Sequence, residues 1–259
     1  MAGEGGEGAL KEADSMMGRL LLAGMLAGLV AGVVSFGFFK LAGEPAVERA
    51  IAFERAMEAA KNAAEPELVS RSVQSGVGLL TGVAIYGAAL GGLFAIGFAL
   101  AYRRMGDFGL RATAAILAAL GFLSAHLVPA LKYPAAPPAV GAAETIGSRT
   151  SLYFAFLLIS LAAMIGAGAL RLRLAPPLGG LKAALVAAAA YVVVMACIAL
   201  ALPQVNETPQ NFPSEALWQF RAASLAGQGL MWAVLGLAFG AAAERLFARE
   251  ANPLRAKYR

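Results

Sequence analysis

Residues 182–202 read KAALVAAAAYVVVMACIALAL, one lysine followed by twenty uncharged residues in which only Tyr191 and Cys197 carry a polar hydrogen. At 1.5 Å per residue, a helix of that length crosses a hydrocarbon core of about 30 Å. Lipid offers the backbone no hydrogen bonds, and a helix satisfies its own. This run is therefore read as a membrane-spanning helix rather than a core helix of a soluble domain.

Five further runs of the same kind lie on either side of it. The spans are placed at about 20–42, 76–102, 112–131, 151–170, 182–202 and 222–246. Ala, Gly and Leu dominate them without the apolar/polar alternation of a barrel strand. The composition agrees: 59% of the 259 residues are hydrophobic and 14% charged, against about 25% charged in soluble domains. The expected fold is an all-α membrane protein, a six-helix transmembrane bundle over 18–246. It is flanked by a Gly-rich, acidic tail at 1–17, read as disordered, and a basic tail at 247–259. Arg19 precedes about twenty apolar residues, longer than the 7–15 of a signal peptide, so the first run is read as a retained helix.

Charge sets the expected orientation. With both termini on the cytoplasmic side, thirteen of the 21 Lys and Arg residues fall inside and eight outside, the sense of the positive-inside rule. The two short inner loops are basic, and the three long outer connections hold nine of the 16 acidic residues. A multi-pass protein of a bacterial or archaeal cytoplasmic membrane follows, with the lipid bilayer as its first partner. The net charge of +5 comes from residues scattered at helix ends, not from a basic patch interleaved with aromatics, so no nucleic acid is expected. Cys197 stands alone and forms no intramolecular disulfide. No phosphate loop, nucleophile triad or zinc-protease motif appears, so no enzyme is expected.

The outer connections are where the sequence becomes specific. Each starts with a proline after a span and ends with an arginine beside hydroxyl residues: Pro45 to Arg71, Pro129 to Arg149, Pro203 to Arg221. Either three helix-loop-helix units repeat in parallel, or prolines and interfacial arginines simply recur. In the first connection, Pro45 opens a stripe at Ala46, Ala50, Phe53, Met57 and Ala60, predicting an amphipathic helix on the outer surface. The second, VPALKYPAAPPAVG at 128–141, is predicted to be stiff and extended because Pro134, Pro137 and Pro138 bar helix. Lys132 and Tyr133 suit a membrane interface. The third carries Asn206, Glu207 and Trp218, either a polar mouth or belt and water-facing residues.

Inside the spans charges are nearly absent, so a pump built on a mid-membrane carboxylate is not expected. His126 lies about a turn from the outer end of the third span. With Glu144, Asn206 and Glu207 it makes the candidate metal-ligand set, with Arg71, Arg149 and Arg221 bracing loop carbonyls or pairing with the acids. One His and one Cys in separate spans cannot alone complete a metal site. Gly24, Gly28 and Gly32, Gly78/Gly82, Gly87/Gly91 and Gly236/Gly240 form small-residue ridges for close helix packing, within the bundle or between copies.

The stretches GEPAVERAIAFE, ELVSRSVQSGVGL, YGAALGGLFA, VPALKYPAAPPAVG with ETIGSRT, and LPQVNETPQNFPSEALWQFRAASL resemble the CbtA family of probable cobalt transporter subunits over about residues 18–246. The resemblance implies a cytoplasmic-membrane subunit of a cobalt uptake system linked to cobalamin biosynthesis. It further implies a small, single-span, histidine-rich partner of the CbtB kind, and cobalt as cargo rather than a permanent cofactor. The competing expectation is a non-transporting accessory or assembly subunit that binds another membrane protein through its loops and glycine faces.

Overall fold

The computed structural model describes residues 4–61 and 69–251, and among them there is no strand. In chain order the helices are α1 (Glu4–Phe38), α2 (Glu44–Lys61), α3 (Arg71–Val73), α4 (Leu79–Ala101), α5 (Leu110–Phe122), α6 (Val128–Lys132), α7 (Ile146–Leu178), α8 (Gly180–Ala201) and α9 (Ser214–Ala251). Wider π turns separate some of them, at Phe39–Gly43, Gln74–Gly78 and Leu123–Leu127. Among the described residues six helical segments are long and apolar enough to cross a membrane, as the sequence predicts.

Boundaries move for physical reasons. The first turns of α1 cover residues 4–17, read above as a disordered tail; ALKEA and SMM are good helix formers despite the acidic, Gly-rich composition. Of the tail, residues 1–3 lie outside the described residues. Helix α7 is longer than its predicted span, continuing past Arg171 and Arg173 to Leu178. Hydropathy marks where lipid ends, not where helix ends. In the same way, α2 does not start afresh at Pro45 but follows directly on the π turn. Pro45 has no N–H to give the carbonyl four residues back. The turn before it widens instead, the Glu44 N–H bonding to the Phe39 carbonyl. The same device precedes Pro129, where the Val128 N–H bonds to the Leu123 carbonyl.

The chain forms two compact units. The first comprises residues up to Gly37, Gly76–Ala119 and Leu230 onward. Here α1 and α4 run antiparallel with their backbones almost touching. A Cβ placed on Gly28 lies 2.0 Å from the Gly87 carbonyl oxygen, and one on Gly24 lies 2.3 Å from that of Gly91. Gly32 meets Val83 in the same way at 2.6 Å. Gly236 and Gly240 of α9 sit against Ala118 and Ala114 of α5. The glycine ridges thus pack within the unit. Gly82 has nothing within 4 Å and belongs to no such contact. Phe94 and Phe98 of α4 stack edge-on against Phe239 of α9, at 5.3 and 5.0 Å between ring centres. Large aliphatic side chains such as Leu26, Leu93 and Leu237 face outward, the arrangement expected where the solvent is lipid and helix packing relies on small residues.

The second unit comprises Phe38–Ser75 and Leu120–Gly229, and so contains all three long connections. Its helical hairpin, α7 with α8, packs Phe156, Tyr191 and Met195 together with Leu123, Val128 and Tyr133. A separate small core joins Ala50 of α2 to Phe212 and Ala216, with Phe53 set edge-on to Phe212 at 5.1 Å. The predicted stripe of α2 is thereby covered in part: Ala46 and Ala50 are fully buried.

Candidate functional site

The three connections are tied by side-chain hydrogen bonds, some to other side chains and some to backbone. In the first, Arg71 pairs with Glu44, and the Lys40 ammonium donates to the Ser75 hydroxyl at 3.0 Å. Arg49 of α2 donates to Gln219 of α9. In the second, Lys132 and Tyr133 reach the third connection: the ammonium donates to the Leu202 carbonyl at 2.9 Å and the phenol to that of Pro203 at 3.0 Å. Lys132 and Tyr133 therefore tie the second connection to the third.

After Tyr133 the chain cannot be helical because of its prolines, and it runs extended to a turn closed by Val140 N–H on the Pro137 carbonyl at 3.2 Å. Two positive φ values follow, Ala139 at 63° and Gly141 at 109°. Gly141 is glycine for two reasons. Its φ is one that side chains avoid, and a Cβ there meets the Arg149 guanidinium at 2.0 Å.

Glu207 is the hub. Its carboxylate accepts from the Ala142 N–H and the Thr145 hydroxyl, both at 2.8 Å, and lies 3.4 Å from Arg149 Nε. Arg149 in turn donates to the Ala142 carbonyl at 3.2 Å. The Ala142 amide, then Thr145, then Arg149 hold the Glu207 carboxyl below its ordinary range. Arg221 donates to the Ala135 carbonyl at 3.3 Å. These contacts enclose a cleft of about 400 Å³, walled among others by Tyr133, Pro134, Arg149, Asn206, Glu207 and Arg221.

Of the four candidate ligands, Asn206 and Glu207 share this cleft. Glu144 is exposed on a short 3₁₀ turn, Ala143–Thr145, and His126 sits on the Leu123–Leu127 π turn; neither lines the cleft. Among the described residues no group of three or more His, Cys, Asp or Glu converges. Of the set expected from sequence, Asn206 and Glu207 are brought together on the cleft wall, while Glu144 and His126 lie off it. Pro137 and Pro138 shape the loop without lining the cleft, and Trp218 is largely exposed near the start of α9.

A second polar feature was not read from sequence. Buried Ser160 of α7 donates to the Ser124 carbonyl at 2.7 Å and lies 2.8 Å from the Tyr191 hydroxyl of α8. A π turn disturbs the regular carbonyl ladder, and Ser160 serves a carbonyl belonging to that turn. The available signal was Pro129 at the end of a span, which marks a disturbed ladder upstream.

Six apolar helices with outward-facing aliphatics, and long connections that form a polar cleft, define a multi-pass α-helical membrane protein. The sequence model of the CbtA family, described as a probable cobalt transporter subunit, matches residues 17–244. The chain belongs to that family. No curated protein and no solved structure matches it.

Proposed function

We propose that this chain is the multi-pass subunit of a cobalt uptake system in the cytoplasmic membrane, with both termini inside, supplying metal for cobalamin biosynthesis. The observation that carries the reading is the hydrogen-bonded cleft where the second and third connections meet, whose walls include Asn206 and Glu207. Carboxylate and amide oxygens are donors that divalent cations accept. His126, on the Leu123–Leu127 π turn of the third span, is the one imidazole of the chain and the intended further ligand. Imidazoles from a histidine-rich single-span partner complete the coordination in this scheme.

Arg149 and Arg221 in the same cleft favour the second reading, an accessory subunit that docks another membrane protein. Glu207 offsets one of the two charges, not both. Proteoliposomes holding the purified chain, with and without the histidine-rich partner, decide between the two. Uptake of radioactive cobalt above protein-free vesicles supports transport. Tight co-purification of the two proteins with no flux under any driving gradient supports docking.

A further inference from the structure

On the first unit, α1 and α9 enclose an open groove of about 380 Å³. Its floor is made of small residues, Ala23 and Ala27 on α1 with Ala238 and Ala242 on α9, and its rim includes Leu22, Leu26 and Val30. The three rim side chains are more than half exposed. Arg19 and Arg245 also line it, beside Leu246, and both arginines are exposed. On α1 the arginine lies at one end of the lined stretch and Val30 at the other. Those eleven steps span about 16 Å of helix, close to half of a hydrocarbon core of roughly 30 Å.

We propose that this groove is a binding site for one anionic phospholipid, its phosphate held by Arg19 and Arg245 and an acyl chain laid along the alanine floor. Length, polarity and charge point to the same occupant. The groove is one leaflet deep, apolar along its depth and cationic at the α1 start. Guanidinium forks match phosphate oxygens, and basic pockets between membrane helices are suited to anionic headgroups. Glu244, the acid next to Arg245 in sequence, pairs with Arg111 of α5. The alanines matter as much as the arginines, since any larger side chain fills the trough. The site is separate from the cleft of the second unit and does not depend on the transport reading.

The test uses the full chain, delipidated in a neutral detergent, with phosphatidylglycerol and phosphatidylcholine of identical chains as probes in a binding titration. At least tenfold tighter binding of phosphatidylglycerol is expected. The R19Q/R245Q double variant is expected to lose that preference, and R19K/R245K to keep most of it. A242L, which narrows the floor, is expected to weaken both lipids. Equal binding of the two lipids by the unaltered chain overturns the proposal, as does an undiminished preference in the double glutamine variant. Inorganic phosphate alone matching the lipid's effect overturns the lipid as occupant. Because the first comparison needs no variant, a variant that fails to fold leaves the proposal open to refutation.

Discussion

Replacing Gly28 with alanine tests the packing of the first unit most directly. The added methyl group starts 2.0 Å from the Gly87 carbonyl oxygen, 2.8 Å from its carbon and 3.0 Å from Gly91 Cα. Carbon atoms in folded proteins do not approach an oxygen that closely, so the distance must grow from 2.0 Å to at least 3.0 Å. Every atom it meets is backbone, so no rotamer change relieves it. Helices α1 and α4 must part by about that ångström, loosening the neighbouring contacts at Gly24 and Gly32 as well. Overpacking of this kind costs about 1–3 kcal/mol. Dispersion between the separated backbones is lost in addition. Gly82→Ala is the matched control, because a Cβ there meets nothing within 4 Å. That change should be neutral or slightly stabilising, since alanine is the better helix former by about 1 kcal/mol. Reversible unfolding in mixed detergent measures both variants. If Gly28→Ala unfolds with the unaltered chain while Gly82→Ala is lower, the close approach of α1 and α4 is refuted.

Ser160→Ala leaves the Tyr191 hydroxyl and the Ser124 carbonyl without this partner in an apolar interior, and should cost about 1–3 kcal/mol in the same unfolding assay. Glu207 gives a pH signature. Its carboxyl is held below the ordinary value of 4.5, so its contribution to the loops is full above that value and is lost as pH falls through the lower folded value. Protease protection of the second and third connections should therefore drop on acidification below about pH 4.5 in the native chain, whereas Glu207→Gln should already be less protected at neutral pH and show a flatter response. Gly141→Ala forces a side chain into a positive φ of 109° against Arg149, and should lower stability by about 1–3 kcal/mol, with Arg149→Ala failing to restore it fully.

How far the sequence could be read depended on how local each cause is. Six helices were legible because an apolar run of twenty residues has one inexpensive backbone solution in lipid. The Gly24, Gly28 and Gly32 ridge was legible as a packing face by its spacing, but its partner was not: whether it met α4 or another copy depends on residues sixty positions away. The π turns went unread, although Pro45 and Pro129 each signal one, since a proline can be accommodated by a kink, a break or a widened turn. In the connections, prolines announced rigidity, and Arg149 and Arg221 announced braces. Arg149 was foreseen as a pairing partner for the acids, but the Ala142 amide and the Thr145 hydroxyl that hold Glu207 did not show, because a carboxylate in a polar loop has the same appearance whether it faces a cation, water or an amide.

Sequence alone determined that this is a six-span α-helical membrane protein with long proline-containing connections, because hydropathy and the backbone demands of lipid act along the chain. Tertiary structure alone decided that α1 lies against α4 with backbones in contact, that Ser160 serves a π turn on another helix, and that Glu207 closes the second connection onto the third. Each of those depends on close contacts between residues distant in sequence, and no periodicity records them.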